Sequence, residues 1–192
     1  DFWDVSLPND LATSSPRSPS LFAYNAALVL LDAPVLFSKA KVGDLLDPAS
    51  QANRAAIERH HLFPKEYLSS IKVTEISKTN QIANYAYVEW EDNNDIGGLA
   101  PNKYLPAMKD RFSPSVVSSM YHYHALPDEW EDMEYFDFLE RRRELIAQII
   151  REGYEKLVDD GEKAIEDDNL NLAALVEYGE SEATEFKSTL RV

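Results

Sequence analysis

His60 and His61 stand side by side in Arg59-His60-His61-Leu62-Phe63-Pro64, Asn84 follows in Asn80-Gln81-Ile82-Ala83-Asn84-Tyr85, and Asn93-Asn94 completes the series. Neighbouring residues of an extended strand point to opposite faces, so the two imidazoles cannot share one solvent environment. They can divide labour instead, one holding a metal ion and the other activating water. An imidazole with an ordinary pKa of about 6.5 can take a proton from water near neutral pH. Each of these residues also has a plainer use. Asn84 fits a turn asparagine bonding to nearby backbone, and Asn93 or Asn94 fits a helix cap. A second cluster, His122 and His124 in Tyr121-His122-Tyr123-His124, follows a helical segment, where that spacing favours packing or a surface aromatic patch over a shared ion. Arg141-Arg142-Arg143 is flanked by Glu140 and Glu144, which favours helical salt bridges over phosphate contact.

The elements that must position these residues are mostly helices. The Ser- and Pro-rich stretch 1–19 is an irregular lead-in, and Ser18-Pro19 supplies a cap and first helical residue for a helix to about Leu31. Asp47-Pro48-Ala49 starts a second helix, through about Ile57. The chain then extends from Glu58 to Phe63, and Pro64 ends that strand. Lys65 to Asn80 is a long connection with about one helical turn. Tyr85-Ala86-Tyr87-Val88-Glu89-Trp90 alternates like a strand, and the acids and asparagines of 91–94 suit a helix start. Pro101 and Ser113-Pro114 open two more helices. From Pro127 to about Val158, Tyr135, Phe138, Leu139, Ile146, Ile149, Ile150 and Leu157 recur at helical spacing. A last helix spans about Leu170 to Tyr178. Trp3, Trp90 and Trp130 are core or packing residues.

Composition narrows the function classes. The 192 residues contain no cysteine, which removes disulfides and thiolate zinc sites and suits a reducing, cytoplasmic setting. No apolar run reaches the roughly 20 residues of a membrane span. The net charge of −15 opposes nucleic-acid binding at first sight, because phosphate contacts need Lys and Arg. The load is uneven, however. Residues 128–168 hold sixteen acids against six bases, and residues 1–127 hold fourteen against eleven. The part carrying the histidine pair is near neutral.

The order His60-His61, Pro64, Asn84 and Asn93-Asn94 resembles the HNH (ββα-metal) endonuclease motif. The wider chain is similar to the nuclease region of GmrSD-like restriction proteins over about residues 1–158. Ile57-Glu58-Arg59-His60-His61-Leu62-Phe63-Pro64-Lys65, Asn80 to Tyr85 and Ala100-Pro101-Asn102-Lys103-Tyr104-Leu105-Pro106 carry the resemblance, with Phe2-Trp3, Leu7 to Ser14, Arg17 to Tyr24 and Val35-Leu36-Phe37-Ser38 before them. The resemblance implies His61 as general base, Asn84 bracing the loop and orienting that base, and a divalent ion on His60 with Asn93, or Asn94 as its close rival. Magnesium is the expected ion. His60 stands where many HNH enzymes have Asp, which also admits manganese or nickel. Two protein ligands leave positions for phosphate oxygens and water, and the ion offsets charge developing on the phosphate. Where the family carries a lysine-containing stretch, this chain has Asn94-Asp95-Ile96-Gly97-Gly98-Leu99, so a cation is missing there. Gly179 to Ser188 resembles the opening of a Schlafen AlbA-like domain, a nucleic-acid-binding module.

The expected class is therefore α+β, mainly α: a helical domain with an inserted ββα-metal element. Its parts are a helical lead-in (1–56), the HNH element (57–110), a C-terminal helical segment packing on it (111–178) and the start of a truncated AlbA-like domain (179–192). The expected function is metal-dependent DNA cleavage in restriction and phage defence. DNA is the expected partner, without a membrane, beside the rest of a longer polypeptide: an N-terminal nucleotide-hydrolysing domain and a C-terminal AlbA-like domain, with homo-oligomerisation left open. The rival is a non-catalytic nucleic-acid-binding or regulatory module that keeps the HNH shape, which the acidic composition favours.

Overall fold

A computed structural model describes residues 1–46, 58–89 and 96–178. It is mainly helical, with one two-stranded sheet. Contacts divide the chain into two units, Asp1–Tyr154 and Glu155–Val192. Among the described residues no helix is long and apolar enough to cross a membrane.

After a π-helical turn at Phe2–Ser6 come α1 (Leu7–Asp10), α2 (Pro19–Leu30) and α3 (Val42–Leu46). Helix α2 starts where its residues dictate: the Ser18 hydroxyl accepts the Ser20 N–H at 3.3 Å and Pro19 occupies the first turn. It buries Leu21, Tyr24, Ala27 and Leu28, the spacing of one helical face. The helix expected over Asp47 to Ile57 lies outside the described residues.

Strand β1 (Glu58–His61) pairs antiparallel with β2 (Tyr85–Val88), placing His60 opposite Ala86 and His61 opposite Tyr85. The connection between them is more helical than expected. It contains α4 (Lys65–Ser70), α5 (Ile76–Thr79) and a 3-10 turn at Ile82–Asn84. Pro64 sits at the α4 cap and accepts the Leu68 N–H at 2.9 Å, and Leu68 is buried. Helices of four to six residues are too short to leave a 3.6-residue pattern, which is why the stretch reads as loop.

The two proline-started helices are α6 (Pro101–Lys109) and α7 (Pro114–Tyr123), and α8 runs from Tyr135 to Tyr178. Helix α8 begins eight residues later than Pro127. Glu129 adopts the left-handed conformation (φ 54°), Trp130–Asp132 makes a 3-10 turn, and the Glu134 carboxylate accepts the Phe136 N–H at 2.8 Å. The helix expected separately at Leu170 to Tyr178 is part of α8. Its first five turns bury Tyr135, Phe138, Leu139, Ile146, Ile149 and Ile150. Leu157 departs from that face: it is 54% exposed and belongs to the second unit. Near its C-terminal edge the first unit brings α8 against α2 with backbones almost touching. A Cβ built on Gly153 would lie 2.7 Å from Ala27 Cβ and 2.8 Å from its Cα.

An aromatic cluster closes the core around the end of β1. The Phe63 ring lies 4.8 Å from Phe138, 5.2 Å from Tyr135 and 5.8 Å from Trp130, centroid to centroid. Of the three tryptophans, Trp130 is fully buried, Trp3 packs on Tyr154 at 5.7 Å, and Trp90 lies outside the described residues.

Candidate functional site

The histidine pair divides between two environments, as a strand requires. His60 is 3% exposed, with its Nε2 buried and its ring edge-on to Tyr104 at 6.0 Å. Tyr104, from α6, donates its hydroxyl hydrogen to the Leu62 carbonyl at 2.7 Å. Burial pushes this phenol well above its ordinary value, so it stays a donor. His61 is half-buried, its ring 4.4 Å from that of Tyr85.

The atom that orients His61 belongs to Asn80. Its Oδ1 lies 3.1 Å from His61 Nε2. An amide oxygen only accepts, so Nε2 carries the hydrogen and Nδ1 is left as the basic nitrogen. Burial pulls the His61 pKa below 6.5, with Asn80 and Glu66 opposing and Lys65 and Arg59 assisting. The ring is therefore mostly neutral at pH 7 and able to accept a proton.

Asn84 braces the turn that carries Asn80. It is fully buried. Its Oδ1 accepts the Phe63 N–H at 2.9 Å, and its Nδ2 donates to Phe63 O at 3.1 Å and Thr79 O at 3.0 Å. Its backbone carbonyl accepts the Leu62 N–H at 2.9 Å, which prolongs the strand pairing by one rung. The Asn84 amide thus bonds the backbone on either side of the loop, while the direct contact to His61 comes from Asn80. Sequence reasoning did not single out Asn80. Its only signal was a second asparagine four residues before Asn84.

Arg142 adds a further anchor that the triple-arginine pattern concealed. It is fully buried, with Nη1 donating to Ala83 O at 2.7 Å and Nε and Nη2 donating to His124 O at 3.1 and 3.0 Å. The residue before Asn84 is thereby tied to α8. Arg141 does form the expected helical ion pair, with Glu144. Arg142 does not, because it falls in phase with Phe138, Ile146 and Ile149 and so faces the core.

Asn93 and Asn94, the remaining ligand candidates, lie outside the described residues. Among the described residues no group of three His, Cys, Asp or Glu side chains is placed to hold a metal. The described part of the donor set is the one imidazole of His60, a donor that suits a divalent ion and needs a second ligand to make a site. His61 is committed through Nε2 to Asn80. Just past the undescribed stretch, Gly98 packs tightly on α4: a Cβ there would lie 2.8 Å from Glu66 Cβ. A bulkier residue at Gly98 would push α4 aside, and with it the flank of His61.

His122 and His124 do not converge on an ion. His122 faces Glu152, its Nε2 2.9 Å from Oε2. His124 is 1% exposed and donates from Nε2 to the Pro34 carbonyl at 2.8 Å. Burial, assisted by Arg142 and opposed by the bond to Pro34, lowers its pKa to about 4. The unfolded chain takes up this proton near 6.5 and the folded chain only near 4, so acid favours unfolding throughout that window. Stability from this group is complete above pH 6.5 and falls by about 2 kcal/mol at pH 5 and about 3 kcal/mol at pH 4. Urea unfolding at pH 7 and pH 5 measures it. A midpoint unchanged between the two pH values contradicts a neutral, buried His124.

No family model, curated protein or solved structure matches this chain.

Proposed function

We propose that this chain is the nuclease region of an HNH-type, metal-dependent DNA endonuclease of the restriction and phage-defence class. The observation that carries the proposal is the setting of His61: a half-buried imidazole on an antiparallel strand pair, held through Nε2 by Asn80, beside a loop pinned by a buried asparagine. A general base needs a free basic nitrogen, a fixed ring and a pKa below the working pH, and His61 has each of these. In this proposal His61 Nδ1 takes the proton from the attacking water, Asn80 holds the ring and its tautomer, and Asn84 and Arg142 keep the turn closed. His60, with Asn93 or Asn94, would hold the divalent ion. When bound, the ion supplies neutralisation of charge on the scissile phosphate. The larger setting belongs to the same proposal: DNA as substrate, a cytoplasmic location, and further nucleotide-hydrolysing and AlbA-like domains.

Nicking of supercoiled plasmid with magnesium or manganese, with and without a chelator, tests it. Nicking that requires the ion, stops with chelator and returns on adding metal is the expected result. DNA binding with no nicking under any of these ions would favour the non-catalytic module, the reading suggested by the net charge of −15. Calorimetry of His60→Ala is expected to show metal affinity falling more than DNA affinity.

A further inference from the structure

We propose that Arg59 holds a backbone phosphate of the substrate beside His61, an inference that rests on the nuclease proposal above. Arg59 and His61 are two residues apart on β1, so their side chains share one face at a backbone spacing of about 6.5 Å. The opposing strand completes that face with Tyr87 across from Arg59 and Tyr85 across from His61. Tyr85 spans the two: its ring centroid lies 5.4 Å from the Arg59 guanidinium carbon and 4.4 Å from the His61 ring. Tyr87 is fixed in turn by a 3.1 Å hydrogen bond from its hydroxyl to Asn25 Oδ1 on α2. The guanidinium is thus steered by aromatic packing while the residue itself stays exposed.

Its charge and shape then assign it a phosphate. Among the described residues no carboxylate forms an ion pair with Arg59. A planar guanidinium fork matches phosphate oxygens. With Lys65, Arg59 is one of the two cations that act on His61. The cavity that Arg59 borders holds only about 20 Å³ and is otherwise lined largely by buried residues such as Leu28, Ile82 and His124, too little to enclose a small molecule. A phosphate contact of this kind positions DNA without reading its sequence.

The test is fluorescence anisotropy of a short labelled DNA duplex. It uses His61→Ala protein, so that the probe stays intact, alone or combined with Arg59→Gln or Arg59→Lys. Salt is varied between about 50 and 200 mM. Arg59→Gln is expected to bind roughly tenfold more weakly at the low-salt end. Its plot of log affinity against log salt should be shallower by about 0.9, the signature of one lost phosphate contact. Arg59→Lys should keep the slope, and thermal midpoints should match throughout. Unchanged affinity, or weaker binding with an unchanged slope, overturns the assignment. If wild-type protein nicks plasmid while Arg59→Gln binds as the parent does, this inference falls and the nuclease proposal stands. If binding depends on Arg59 but no nicking occurs with any divalent ion, the nuclease proposal falls and the phosphate contact stands. Absence of DNA binding by the parent protein overturns both.

Discussion

Asn84→Ala is expected to lower the stability of the first unit by about 3–5 kcal/mol, a fall in melting temperature of roughly 8–15 °C by circular dichroism. The magnitude follows from what the amide satisfies. Asn84 is fully buried and makes three hydrogen bonds, one accepted from the Phe63 N–H and two donated to the carbonyls of Phe63 and Thr79. Alanine leaves a donor and two acceptors without partners in the interior, each costing about 1–3 kcal/mol, with some relief where water enters. Phe63 then loses its fixed place among Trp130, Tyr135 and Phe138. The turn that carries Asn80 loosens as well, so His61 loses its orienting partner. Asn84→Asp is a sharper variant, because it retains an acceptor for the Phe63 N–H while losing both donors and burying a charge. It should be no more stable than alanine. A shift under about 2 °C for Asn84→Ala would mean that the amide is not what closes the loop.

Much of this arrangement can be read from residue order, and its failures are instructive. The alternation of Tyr85-Ala86-Tyr87-Val88 appears directly in the structure as alternately half-buried and buried positions, because strand side chains repeat every two residues. Pro19, Pro101 and Pro114 each open a helix as expected, because a fixed φ and a missing N–H cost nothing in the first turn, although α6 also carries Pro106 in its interior. Local chemistry was enough in these cases. Where tertiary context decides, the sequence is silent. Nothing local distinguishes Asn80, which reaches His61 across the loop, from any other turn asparagine. The left-handed Glu129 that delays α8 carries no glycine or asparagine to announce it. Arg142 looks like one of three equivalent cations. Its phase with Phe138 and Ile146 is visible only if an arginine is allowed onto an apolar face, which requires knowing that the carbonyls of Ala83 and His124 wait there. The histidine-bearing strand was legible from its residues, whereas the network that holds His61 was not.

The second large effect concerns that histidine. His61→Ala removes the basic nitrogen while sparing the buried brace, since its described hydrogen bond is the single contact to Asn80. Loss of a positioned general base typically costs 10²–10⁴-fold in rate. The half-exposed ring is expected to contribute little to stability, so the melting temperature should move by only a few degrees. Affinity for DNA should remain, because the proposed phosphate contact belongs to Arg59 on the same face. Asn80→Ala should fall between wild type and His61→Ala, because it leaves the base present and its ring free to turn.

The most direct measurement is the rate of plasmid nicking in manganese at neutral pH by wild-type and His61→Ala protein side by side, both confirmed folded. The proposal predicts nicking by the wild type and a rate at least about 100-fold lower for the variant at equal DNA affinity. Equal rates for the two, or no nicking by the wild type, would contradict it.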